Sequence, residues 1–197
     1  SSGSSTTKFN STFGRLSMDW DKKYLANLTY RRDGSSRFGP ANRFGNFGSI
    51  GAAWIFTNEA WLKDFNALSF GKLRASYGTT GNNNIGDNGY LALLNSSGSG
   101  YQGNPQLSAA NVANPDLQWE KTTKYDLGIS LGFLKDRILL NATYFNSLTT
   151  NLLVQLPLTS QTGFPSYAGN FDGEVENTGF EIDLTTNNLG PKNRMSW

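Results

Sequence analysis

Cysteine and histidine are both absent from this 197-residue chain. Without thiols there is no disulfide framework and no thiolate metal site. Without imidazole the commonest general base and the commonest metal ligand are missing, so catalysis would fall to carboxylates, Lys, Tyr or Ser. The net charge of +2 is too small for a nucleic-acid surface. No apolar run approaches the ~18 residues that a spanning helix requires. Barrel strands, however, hide their apolar residues in alternation while the average stays polar. Ser1 to Thr7 is a polar run without the apolar stretch of a leader, so no signal peptide is expected in this segment. Arg194-Met195-Ser196-Trp197 reads as the beginning of another strand. The expectation from both ends is an internal segment of a longer chain.

What the sequence does have is alternation. Between Leu117 and Phe133 one parity reads Leu117, Trp119, Lys121, Thr123, Tyr125, Leu127, Ile129, Leu131 and Phe133. The other reads Gln118, Glu120, Thr122, Lys124, Asp126, Gly128, Ser130 and Gly132. Successive strand side chains point to opposite faces, so this predicts a single strand with one apolar and one polar side. Ordinary strands run about 5–6 residues, and this one is much longer.

The same pattern recurs along the chain. Gly14, Leu16, Met18 and Trp20 oppose Arg15, Ser17 and Asp19, and the polar turn Asp21-Lys22-Lys23 follows. Tyr24, Ala26, Leu28 and Tyr30 oppose Asn27, Thr29 and Arg31. After a loop over about 33–43 come Ile50, Ala52, Trp54 and Phe56, and Glu59 to Phe65 is a candidate short amphipathic helix. Leu73, Ala75 and Tyr77 then alternate with Lys72, Arg74 and Ser76. A long Asn/Gly/Ser-rich loop, about 81–116, precedes the Leu117 strand. Beyond the turn Lys135-Asp136-Arg137, Ile138, Leu140, Ala142 and Tyr144 form the next apolar face. A third long loop, about 150–173, leads to Phe180, Ile182 and Leu184, set against Glu181 and Asp183.

Long antiparallel strands with tight turns at one end and long loops at the other are the anatomy of a transmembrane β-barrel. The fold class predicted is therefore all-β, an antiparallel barrel segment of about seven strands and part of an eighth. Tyr125 to Phe133, tilted about 40°, would cover roughly 20 Å of height, close to the apolar band of such barrels. Trp20, Tyr24, Trp54, Phe56 and Phe133 fall near the short-turn end, and Tyr30, Tyr77 and Tyr125 near the other, where aromatic girdles belong. The competing reading is a soluble or surface β-rich carbohydrate-binding module, which would bury its apolar parity instead of presenting it to lipid.

Several ordered stretches also carry a family resemblance. They are Tyr30-Arg31-Arg32-Asp33-Gly34-Ser35-Ser36-Arg37-Phe38-Gly39, Leu73 to Asn82 (LRASYGTTGN), Asn114 to Thr122 (NPDLQWEKT), Thr150-Asn151-Leu152-Leu153 and Val175 to Glu181 (VENTGFE). Together they resemble the SusC/RagA-type TonB-dependent outer-membrane transporters over nearly the whole chain. The resemblance implies a barrel of about 22 strands with an N-terminal plug inside it; residues 1–197 would supply part of the barrel, without the plug. It implies a bacterial outer-membrane location and contact with the lipid bilayer and lipopolysaccharide. It also implies a SusD-like surface lipoprotein partner, and coupling to the TonB complex through a region N-terminal to this chain. The cargo implied is glycan or oligopeptide.

Candidate sites follow from the faces and the loops. Arg31, Lys72, Arg74, Glu120, Lys124, Asp126, Glu181 and Asp183 lie on the polar parity and are expected to line a wet lumen. Tyr90, Tyr101, Phe164 and Tyr167, in the long loops, suit stacking against cargo or lid, although packing of loop on loop would use the same residues. Gly98-Ser99-Gly100-Tyr101-Gln102-Gly103 matches GxGxxG but lacks the strand and helix that present amides to a pyrophosphate. Glu181 and Asp183 share a face as glycosidase carboxylates would, yet a mixed-charge wall is the simpler account. Asn82-Asn83-Asn84 with Asp87 supplies hard oxygens without the calcium-loop spacing. Neither an enzyme nor a resident cofactor or metal is expected.

Overall fold

In the computed structural model, residues 6–62, 67–97 and 106–187 are described. Eleven strands appear among them: β1 (Phe9–Trp20), β2 (Tyr24–Ser35), β3 (Phe44–Trp54), β4 (Leu68–Asn82), β5 (Leu94–Ser97), β6 (Gln106–Ala109), β7 (Glu120–Phe133), β8 (Ile138–Thr150), β9 (Leu152–Pro157), β10 (Ser166–Phe171) and β11 (Val175–Thr186). Seven of these form one sheet in the order β1-β2-β3-β4-β7-β8-β11, each pair antiparallel. The remaining four pair as two small hairpins, β5–β6 and β9–β10. No helix among the described residues is long and apolar enough to cross a membrane, which has no bearing on crossing by strands.

The turn chemistry fixes the register. Asp21 and Lys22 both adopt positive φ, giving the mirror-image hairpin turn whose twist matches its strands. Lys22 N–H donates to Asp19 Oδ1 at 3.0 Å, closing that turn with a side chain. Leu134, Lys135 and Asp136 play the equivalent part between β7 and β8. With registers set, the apolar parities of all seven strands line up. Leu16 pairs Leu28, Leu28 pairs Ile50, Ile50 pairs Tyr77, and Tyr77 pairs Tyr125. Further along, Leu127 pairs Tyr144, and Tyr144 pairs Phe180. A slip of one residue anywhere would move a whole apolar set to the other face.

That face is not covered. Phe180 is 78% exposed, Ile182 74% and Leu16 67%. A soluble domain of this size buries such a face against a second layer, and contiguous apolar surface of this extent is a membrane or partner surface. The buried apolar residues lie elsewhere: Phe38, Phe47, Ile85, Leu117, Trp119 and Ala168 form one cluster at the long-loop end. The sheet is therefore a single layer whose only core among the described residues is a cap of loops.

Three expectations change. The strand begins at Glu120, not Leu117. Leu117 and Trp119 turn away from the strand's apolar parity and are buried in the loop cluster. The segments 81–116 and 150–173 are not structureless, since each contains a hairpin. The proposed helix after Glu59 is also absent from 59–62, which are bend and turn following a 3-10 turn at Phe56–Asn58, while 63–66 lie outside the described residues. Residues Arg194 to Trp197 lie outside them as well.

Candidate functional site

The polar face is built in rows by the strand register. Arg74 of β4, Gly128 of β7, Thr143 of β8 and Glu181 of β11 fall in one row. Arg74 lies flat over Gly128, where a Cβ would collide with its guanidinium, and donates to Thr143 Oγ1 at 2.6 Å. Glycine at 128 is thus what lets the long cation cross to the next strand. In the adjacent row Ser76 donates to Asp126 at 3.1 Å, and Lys124 pairs with the same carboxylate at 3.1 Å. Lys72, Ser130, Asn141 and Asp183 form a further row. By register all eight expected polar-face residues fall on one parity: Arg31, Lys72, Arg74, Glu120, Lys124, Asp126, Glu181 and Asp183.

Glu120 does something else. Its Oε1 accepts from Asn82 Nδ2 at 2.9 Å and its Oε2 from Leu153 N–H at 3.0 Å. It clamps the end of β4 and the start of the β9–β10 hairpin. An acid opening a long strand looks like a wall residue in sequence; only the fold brings two donors to it.

Between the charged rows lies a basin of about 770 Å³. Its floor is paved by the small residues Ser49, Gly51, Ser76 and Gly78, and Arg15, Arg31, Phe47, Lys124 and Asp126 stand around it. Arg15 and Phe47 are absent from the candidates chosen on sequence. The signal for them was the run of small residues on the polar parity of β3 and β4, which leaves room that neighbouring side chains must border.

Above the basin the loops interlock, and the family-like stretches are the parts that interlock. Asp33, fully buried, accepts two bonds from Arg31 Nε, at 2.6 and 2.7 Å, and one from Ser11 Oγ at 2.6 Å. Arg37 donates to Asp87 at 2.8 Å and to the Asn83 carbonyl at 3.0 Å, and Thr7 Oγ1 donates to Asp87 at 2.7 Å. Two oxygens of 82–87, the Asn83 carbonyl and Asp87 Oδ1, thus meet on the Arg37 guanidinium, while Asn82 Oδ1 accepts from Asn84 N–H at 2.9 Å. Asn114 Nδ2 donates to the Ala168 carbonyl at 3.0 Å. Asn170 accepts from Gln118 N–H at 2.8 Å and donates to the carbonyls of Gln118 and Asn151 at 2.9 and 3.1 Å. Trp119 packs on Phe38 and Phe47, with ring centroids 4.9 and 5.6 Å away.

The loop aromatics divide. Tyr90 is half-buried against Gly39 beside Pro115, inside this cap. Tyr167 is half-buried on β10 beside Gly169, and Phe164 is half-buried at the turn of the same hairpin. No ring contact joins these three among the described residues, so they do not form one stacking platform. Tyr101 and the GxGxxG stretch lie outside the described residues.

At the opposite end, Glu59 gathers the lower aromatic girdle. It accepts from Tyr24 Oη at 2.7 Å, Trp54 Nε1 at 3.2 Å and Lys23 Nζ at 3.3 Å. Those bonds, Tyr24's first, hold the Glu59 carboxyl below its ordinary range, and Asp21 and Glu59 raise the Lys23 ammonium.

A single-layer sheet with an exposed apolar face, a polar face and loops at one end narrows the families to membrane barrels. Residues 1–197 match the family model described as TonB dependent receptor-like, beta-barrel. The chain belongs to the TonB-dependent receptor β-barrel family. It is 35% identical over 192 residues to TonB-dependent receptor P39 of Formosa agariphila, and 38% identical over 180 residues to TonB-dependent receptor SusC of Bacteroides thetaiotaomicron. These alignments cover 98% and 88% of this chain. The RagAB peptide transporter structure superposes with a TM-score of 0.86 at 31% identity, over 94% of this chain. The siderophore receptor PirA of Pseudomonas aeruginosa, at 19% identity and TM-score 0.58, shares the fold. The chain spans 18% of the length of both curated relatives and 20% of the RagAB chain. The SusC/RagA resemblance seen in the motifs is thereby established.

Proposed function

We propose that this chain is a stretch of the wall of a TonB-dependent importer in the bacterial outer membrane, taking up bulky nutrients with a SusD-like surface lipoprotein. The observation that carries this reading is the exposed apolar face, in register across seven strands. Lipid satisfies such a face, while the polar face with its Arg15, Arg31 and Lys124 basin borders a wet lumen. The carbohydrate-binding module loses its basis, since it required that parity to be buried. Catalysis by Glu181 and Asp183 has no support either, because both stand exposed along the last strand.

The relatives supply the coarse role and leave the cargo open. SusC is a TonB-dependent receptor by name, and RagAB is a peptide importer. The test is uptake by cells carrying the full-length receptor, offered glycan oligomers and oligopeptides in parallel. The expected result is receptor in the outer-membrane fraction, co-purification of a surface lipoprotein, and uptake that disappears when TonB is removed. Receptor found in the soluble fraction, or uptake indifferent to TonB, would overturn the proposal.

A further inference from the structure

We infer that the apolar-parity face of β1–β3, at its long-loop end, carries a site for the phosphate of an outer-leaflet glycolipid headgroup, built by Thr12, Arg32 and Asn46. The inference rests on the membrane reading above, because it takes that face to be the one touching lipid.

The three residues form one cross-strand row: Arg32 pairs with Thr12 on β1 and with Asn46 on β3. Neighbouring strands lie about 4.8 Å apart, so the row spans roughly 10 Å. All three are exposed. They share the parity of Leu16, Leu28 and Ile50 and stand beyond the Tyr30 level, on the loop side. Tyr30 Oη donates to Asn46 Oδ1 at 2.9 Å, occupying the amide's acceptor and leaving its Nδ2 as donor.

Arg32 is seated from below. Its guanidinium stands over the Phe44 ring, 4.8 Å from the centroid. Phe44 in turn lies on Gly34, where a Cβ would come within 2.7 Å of the ring. Glycine seats the ring and the ring seats the cation. The ring holds the cation without offering an oxygen acceptor, so the guanidinium's N–H groups remain for an oxyanion, which the planar fork binds in bidentate fashion.

Charge makes the contrast with the next residue. Arg31, on the opposite face, is neutralised by Asp33. The carboxylates within β1, β2 and β3 are Asp19 and Asp33, and both stand on that opposite parity. The face bearing Arg32 thus has no acid of its own in these strands, while Lys8, exposed and two positions beyond Asn10 on the same parity, adds a second positive charge. A cation with free donors at the level where aromatic rings meet headgroups fits an anionic lipid better than open water.

The test uses the full-length receptor purified in detergent, with lipid A, dephosphorylated lipid A and inorganic phosphate as probes, read by native mass spectrometry. Phosphorylated lipid A is expected to be retained about tenfold better than the dephosphorylated form, and Arg32→Gln with Asn46→Ala should remove that preference. Lys135→Gln, in the turn at the other end of the sheet, should leave it intact, and Arg32→Lys, which keeps charge but loses the fork, should fall between. Heat-modifiable gel mobility verifies that each variant is a folded barrel. Equal retention of both lipids by the wild type, or an unchanged preference in the double variant, overturns the site. Full displacement by millimolar inorganic phosphate would make it a free-anion site and overturn the lipid assignment. A receptor that fractionates with the outer membrane yet ignores the phosphate sinks this site alone; one that never enters the membrane sinks the membrane reading as well.

Discussion

Asp33 and Arg31 are partners of unequal burial, and that inequality predicts which substitution costs more. The Asp33 carboxylate is 0% exposed, whereas the Arg31 side chain is 50% exposed. Replacing Arg31 by Met leaves a buried carboxylate with only the Ser11 hydroxyl. Breaking a buried pair from this side costs about 3–5 kcal/mol. Replacing Asp33 by Asn keeps the shape and an acceptor for Ser11, and the stranded guanidinium turns to water. The loss is then that of a charge-assisted hydrogen bond, about 1.5–3 kcal/mol. The difference, about 2 kcal/mol, corresponds to roughly 30-fold in the local opening equilibrium. The amides of Ser35 and Ser36, bonded to the carbonyls of Arg43 and Lys8 at 3.0 and 2.9 Å, report that opening directly. Hydrogen exchange in the full-length receptor should accelerate at both amides far more in Arg31→Met than in Asp33→Asn. The double variant should recover most of the loss. Equal acceleration in the two single variants, or a greater effect of Asp33→Asn, would refute the claim that desolvation of the carboxylate dominates this cluster.

Three more expectations rest on other parts of the molecule. Ala52→Arg, on the apolar face, should impair membrane assembly by about 2–4 kcal/mol, while Ser49→Arg on the polar face should assemble normally; refolding into lipid vesicles measures both. Asn170→Ala removes three bonds that hold the β9–β10 hairpin to the Gln118 and Asn151 backbone. It should expose 152–171 to limited proteolysis while the sheet stays folded. Because the Glu59 carboxyl is held low, its contribution is present above the ordinary carboxylate range and is lost as pH falls through its depressed value. Glu59→Gln should therefore flatten the acid limb of a pH–stability curve of the intact receptor, and an unaltered limb would remove Glu59 from the account.

The alternation of Leu127, Ile129 and Leu131 against Asp126, Gly128 and Ser130 was enough to specify strand, face and the tight turn after Phe133. Those are local properties, because side-chain direction repeats every two residues and turn residues act on their own backbone. The seven strands of the large sheet followed from the same periodicity, whereas the four strands of the two loop hairpins did not. Sequence also carried the family, through motifs whose order is as informative as their content.

It did not carry the use of those motifs. Leu117 and Trp119 continue the parity of the strand on paper, yet they follow the turn at Pro115-Asp116, lie outside the strand and are buried with Phe38 and Phe47. Glu120 reads as a wall charge until Asn82 and the Leu153 amide arrive from segments far along the chain. Asp87 and the Asn83 carbonyl offer oxygens to any cation, and Arg37 reaches both. Periodicity is written residue by residue, so the sequence alone determined a two-faced antiparallel wall. Which polar groups meet depends on where remote strands place them, so only the tertiary structure decided that these motifs hold the loop cap in place.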